Sequence, residues 1–108
     1  MPLLTPEQVA RRAARDIANG WILLDTARLD GGLRGVIERD FGCDAQTLTT
    51  ADERTLQLVS RFGVIEIRQS TWVLREVPSG ISAADIQARV SVPLLCGPDL
   101  CELADSTG

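Results

Sequence analysis

"TADERTLQLVSRFGVIEIRQSTWVL", Thr50 to Leu74, holds the choice that decides the fold. Thr50-Ala51-Asp52-Glu53 has the form of a capping box, a hydroxyl followed three residues later by Glu. Behind it Leu56, Val59 and Phe62 recur at helical spacing, and Gly63 supplies a stop. The spacing predicts a helix over 51–61. Val64-Ile65-Glu66-Ile67 and Thr71-Trp72-Val73-Leu74 are then two β-rich runs that read as a hairpin. Its turn, Arg68-Gln69-Ser70, lacks the Asn-Gly or Asp-Gly pair that tight hairpins favour.

Upstream, Thr5-Pro6-Glu7-Gln8 starts a helix over 6–19: Thr5 caps, Pro6 suits the first turn, and Gln8 completes a capping box. Val9, Ala13 and Ile17 form its inner stripe, with Ala10 and Ala14 beside them, and Gly20 ends it. The continuously apolar run Trp21-Ile22-Leu23-Leu24 reads as a buried strand. Asp25 to Gly32 is a turn region. Leu33, Val36, Ile37 and Phe41 predict a helix ending at Gly42, and 43–50 reads as a loop. Downstream, Pro78 and Gly80 close the second hairpin strand. Ser82-Ala83-Ala84-Asp85 is a third capping box, with Ile86 and Val90 as anchors of the last helix. After Pro93 the chain reads as a tail.

The expected order is α-β-α-α-β-β-α. It implies a small Rossmann-like layered α/β domain, helices packed on a short sheet that includes a C-terminal β-hairpin. Residues 1–95 make one domain and 96–108 a C-terminal tail. A sheet of three strands leaves open edges, so a homodimer or another protein partner is expected.

Composition bounds the chemistry. The 108 residues carry a net charge of −4, with no His and every cation an Arg. Without His there is no Ser-His-Asp or Cys-His unit and no ordinary near-neutral acid–base group. The acidic balance argues against nucleic acid, which demands a cationic surface. No apolar run approaches the roughly 20 residues that span a bilayer. MPLLTPEQVARR lacks the charged start and apolar core of a secretory signal, so a cytoplasmic location is expected. Cys43, Cys96 and Cys101 read as free thiols. Three is one short of a structural zinc set, and the Cys96–Cys101 spacing leaves a local disulfide as the alternative.

Thr55 to Leu94, "TLQLVSRFGVIEIRQSTWVLREVPSGISAADIQARVSVPL", resembles the C-terminal end of the B subunit of family I CoA-transferases, the 3-oxoacid and 3-oxoadipate enzymes. There a helix leads to a V-F-x-V strand, then an L-x-E strand, P-G-(V/I)-(S/T)-x-x-(D/E)-I and a final A-P-L. Leu74, Glu76, Pro78, Gly80, Ile81, Ser82, Asp85, Ile86, Pro93 and Leu94 fit, with Ser79 inserted. "VARRAARDIANGWILLD", Val9 to Asp25, resembles that subunit's opening helix and strand through Arg12, Ala13, Ala14, Ile17, Gly20, Ile22 and Leu24.

The centre departs from the family. The E-N-G motif with the catalytic glutamate is absent, and Asp25-Thr26-Ala27 replaces G-x-G-x-P. The resemblance therefore implies a reduced, non-catalytic scaffold acting as an interaction or assembly module. The alternative is a small acyl-CoA-binding or CoA-transfer protein with a remnant site near 25–38. For that alternative Glu38 is the candidate nucleophile, and Gly31, Gly32 and Arg34 are candidates for holding CoA phosphates. Arg11, Arg12 and Arg15 are further cations, but Glu7–Arg11 and Arg12–Asp16 are i,i+4 pairs of a salt-laced outer face. Trp72 is a candidate interface anchor, with core packing the alternative.

Overall fold

The structure, a computed structural model, describes residues 3–42, 44–69 and 71–102, and of 97–102 the backbone alone. A helix α1 (Pro6–Ala18) and a two-residue strand β1 (Ile22–Leu23) lead to a 3-10 turn at Thr26–Arg28. Helix α2 (Gly31–Val36) then continues through a π turn at Ile37–Phe41. Strands β2 (Gln46–Thr49), β3 (Leu56–Ser60), β4 (Gly63–Arg68) and β5 (Thr71–Val77) follow. Helix α3 (Ala83–Gln87) and strand β6 (Leu94–Glu102) complete the order. The six strands form one mixed sheet in sequence order, β1 to β5 antiparallel and β6 parallel to β5.

The α/β class, the hairpin and three helices stand as expected; the centre of the chain does not. The segment expected as a helix over 51–61 is a turn followed by strand β3. The Thr50 hydroxyl bonds the Asp52 carboxylate, and the Glu53 N–H donates to Thr50 O (2.9 Å). Glu53 then takes φ +58°, which closes a single turn instead of opening a helix. Leu56 and Leu58 point to one face of the sheet and Gln57 and Val59 to the other, a period of two. Gly63 is a hairpin glycine (φ +106°), not a helix stop. The expected loop at 43–50 contains β2, and the expected tail begins as β6. Of the expected buried strand only Ile22 and Leu23 pair, and they lie at the sheet edge, 49% and 54% exposed.

Helices cover both faces. On one, Val9 and Ala13 of α1 pack with Leu4, Leu48, Val59 and Val64. On the other, α2, the π turn and α3 bury Ile37, Phe41 and Ile86 against Leu58, Ile65, Trp72 and Leu74. Phe41 stacks on Trp72 (ring centroids 5.7 Å) and meets Phe62 edge-on (5.8 Å). Both expected terminal capping boxes form. Thr5 accepts from Gln8 N (3.1 Å), and Ser82 from Asp85 N (3.1 Å). Pro78-Ser79-Gly80-Ile81 is a tight turn, closed by Ile81 N to Pro78 O (3.1 Å) with Gly80 at φ +82°. Gln87 then receives the Leu94 N–H and donates to Val92 O, which aims the chain into β6. Among the described residues no helix is long and apolar enough to cross a membrane.

Candidate functional site

The α2-bearing face of the sheet is not wholly covered. Leu56, Ile67 and Trp72 are cross-strand neighbours near one end of β3, β4 and β5. They floor a cleft of about 490 Å³, and Leu33 and Val36 of α2 wall it. Its rim is polar: Asp30, Glu53, Arg54 and Gln69. The two non-glycine residues with positive φ among the described residues, Glu53 (58°) and Gln69 (46°), both stand on that rim. A second hollow of about 430 Å³ adjoins it, sharing Arg54 and Gln69 and adding Asp52, Thr55 and Arg68. Volumes of this order suit small molecules.

The charges here differ in their engagement. Asp30 caps α2, accepting from the N–H groups of Gly32 (3.1 Å) and Leu33 (3.4 Å). Glu53 faces Arg28 at 3.8 Å. Asp52 accepts from the Thr50 hydroxyl and the Arg54 N–H (3.2 Å), and these bonds hold it below the ordinary carboxylate range. Arg68 reaches Glu66 through Nε (3.0 Å). The Arg54 guanidinium has no ion pair or hydrogen bond among the described residues.

The sequence candidates distribute unevenly around this cleft. Trp72 is a core residue, 8% exposed and stacked on Phe41, and it lines the cleft. Gly32 is on the rim, but its N–H already serves Asp30. Gly31 is exposed, Arg34 half-buried, and neither lines the cleft; Glu38 is exposed on the π turn. Cys96 is an exposed free thiol, whereas Cys43 and the Cys101 side chain lie outside the described residues. Arg54 and Gln69, which the sequence reading passed over, are the residues shared by both hollows. Their signal was weak: Arg54 directly follows a turn-forming box, and Gln69 occupies a two-residue hairpin turn without Gly or Asn.

A second polar cluster lies under α1. The inner stripe of that helix is Val9, Arg12, Ala13 and Asp16, while Ile17 is 42% exposed. Arg12 and Asp16 are therefore not part of an outer salt-laced face. Arg12 Nε donates to both Asp16 oxygens (3.0 and 3.1 Å), and its terminal nitrogens form a fork with Glu76 (2.5 and 2.7 Å). Gln57 Nε2 donates to Asp16 Oδ2 (2.6 Å). The Glu76 hydrogen bonds raise the Arg12 guanidinium further above its already high pKa, so it stays charged despite burial. Among the described residues no group of three or more His, Cys, Asp and Glu could hold a metal ion.

Strands β6 and β1 form the two edges of the sheet among the described residues. β6 runs nine residues along the outside of the sheet, with Leu95 57% exposed. At the opposite edge Ile22 and Leu23 of β1 are exposed. Neither protein-family models, nor curated proteins, nor solved structures yield a match to this chain.

Proposed function

We propose that this chain is a non-catalytic interaction or assembly module that forms a homodimer through an open edge of its sheet. The observation that carries this reading is β6, a nine-residue strand that is outermost in the sheet among the described residues, with an exposed Leu95. Such an edge offers unpaired N–H and C=O groups over Leu94–Gly97, ahead of Pro98, which lacks an N–H and ends that run of donors. A second copy placed across a two-fold axis would pair the two β6 strands antiparallel and extend the sheet. In this reading the likeness to the CoA-transferase B subunit is one of scaffold. The strand, Pro78 turn, helix and Pro93-Leu94 return support that likeness as β5, α3 and the parallel β6, whereas Leu56–Ser60, a helix in that family, is strand β3 here.

Light scattering behind size exclusion, over a wide range of concentration, tests it. The expected mass is twice the 11.7 kDa of the chain, returning to a single chain in Leu95→Lys. A monomer at every concentration, or a dimer indifferent to Leu95→Lys, refutes edge pairing through β6.

A further inference from the structure

We infer that the two joined hollows above Trp72 form a binding site for a small amphipathic carboxylate, its apolar body over Trp72 and its anionic group against Arg54. This goes beyond assembly through β6 and does not depend on it. The apolar floor of Leu56, Ile67 and Trp72 belongs to a sheet face that the helices otherwise bury. Ile67 and Trp72 keep only 6% and 8% of their surface exposed, so the half-buried Leu33, Val36 and Leu56 supply most of the apolar area that a flat group would cover.

The sign of the second group follows from what is already engaged. Asp30 caps α2, Asp52 holds its own turn, and Glu53 faces Arg28. Arg54 alone brings an unengaged charge to the wall between the hollows. Arg68 lines the second hollow and binds Glu66 through Nε (3.0 Å). A guanidinium takes a carboxylate through a two-bonded fork, whereas a neutral amide of the same shape gains no charge-assisted bond. Both non-glycine residues held at positive φ, Glu53 and Gln69, flank Arg54 or share its wall. They close tight turns, the one after Thr50 and the β4–β5 hairpin, and these turns position the wall that carries Arg54.

The test uses the full chain labelled with nitrogen-15 and titrated with 1-naphthoate, with neutral 1-naphthamide in parallel. Naphthoate is expected to shift the indole N–H signal of Trp72 and leave that of Trp21, which packs on the α1 side, in place. Arg54→Gln, an exposed replacement that leaves the core intact, is expected to weaken naphthoate about tenfold and to leave naphthamide unchanged. Arg11→Gln, on the outer face of α1, is expected to change neither. Three results each overturn the inference: no shift of Trp72 at millimolar naphthoate, equal affinity for naphthoate and naphthamide, or indifference to Arg54→Gln.

Discussion

Replacing Arg12 by Met is expected to destabilise the fold far more than replacing its neighbour Arg11. Met keeps most of the apolar stem and removes the charge. Two carboxylates are then stranded. Asp16 is 6% exposed and keeps one partner, the Gln57 amide at 2.6 Å. Glu76 loses both members of its fork but is a quarter exposed, so water replaces part of what Arg12 supplied. Breaking a buried ion pair from one side costs about 3–5 kcal/mol, and the partial exposure of Glu76 places this case at about 3–4 kcal/mol. Domains of this size are stable by roughly 5–15 kcal/mol, so the loss is a large fraction of the whole. Arg11 pairs with Glu7 at 3.5 Å on an exposed surface, where a pair contributes at most about 1 kcal/mol.

Urea is the denaturant to use, because guanidinium chloride would screen the charges under study. With a slope of about 2 kcal/mol per molar, Arg12→Met moves the midpoint down by about 1.5–2 M and Arg11→Met by under about 0.5 M. The quadruple replacement Arg12→Met, Asp16→Leu, Gln57→Leu, Glu76→Met removes every member of the cluster and leaves no polar group stranded. It is expected to recover most of the loss, since an apolar isostere often matches a buried ion pair. Equal midpoints for Arg12→Met and Arg11→Met would refute the reasoning, because the cluster would then behave as a surface pair. A quadruple variant no better than Arg12→Met would refute the claim that stranded charge is the cause.

Two glycines should respond with opposite signs. A Cβ on Gly63 would lie 2.1 Å from the Glu76 carbonyl oxygen, at φ +106°, so Gly63→Ala is expected to cost about 3 kcal/mol or more in urea unfolding. Gly35 sits in α2 with open space around its Cβ, and Gly35→Ala should stabilise by about 0.5–1 kcal/mol in the same assay. Asp40 is held below the ordinary carboxylate range by the Ser91 hydroxyl, then by the Ser91 N–H. A depressed carboxylate stabilises fully above its unfolded pKa of about 3.9 and loses that contribution as pH falls through the folded value. Ser91→Ala should therefore lower the melting temperature by a constant amount above about pH 5, and the difference should fade towards pH 2. Ser82→Ala should cost about 1 kcal/mol by chemical unfolding, because it removes the cap of α3.

Local signals with a single outcome were legible in the sequence. The capping boxes at Thr5 and Ser82, the Gly80 turn and the hairpin partners need only neighbours a few residues away. The Thr50 box was ambiguous because Ser, Thr and Asp side chains serve turns and helix starts alike. The strand after it was hidden for another reason. α1 covers Gln57 and Val59 while the opposite layer covers Leu58, so both faces of β3 are buried and no polar alternation marks them. The spacing of Leu56, Val59 and Phe62 then imitated a helix. The cleft was only half visible: Trp72 drew notice as an apolar anchor, but nothing in a lone Arg54 announces that its neighbours' charges are occupied.

The Arg12 cluster marks where sequence reasoning stops, and the cause is strand register. Ile65 pairs with Leu74, but the next partner of Val64 is Glu76, so Arg75 is the extra residue of a β-bulge. In a regular ladder Arg75 would stand opposite Val64, on the face beneath α1, and two guanidiniums would meet at Arg12. The bulge instead brings Glu76 to that position and supplies the opposite charge. Gly63 makes it feasible, since no residue with a Cβ could approach the Glu76 carbonyl so closely. A choice between Arg75 and Glu76 that is settled by a residue 64 positions away has no local trace. An i,i+4 pair such as Arg12–Asp16 therefore looks the same in sequence whether it faces water or the sheet.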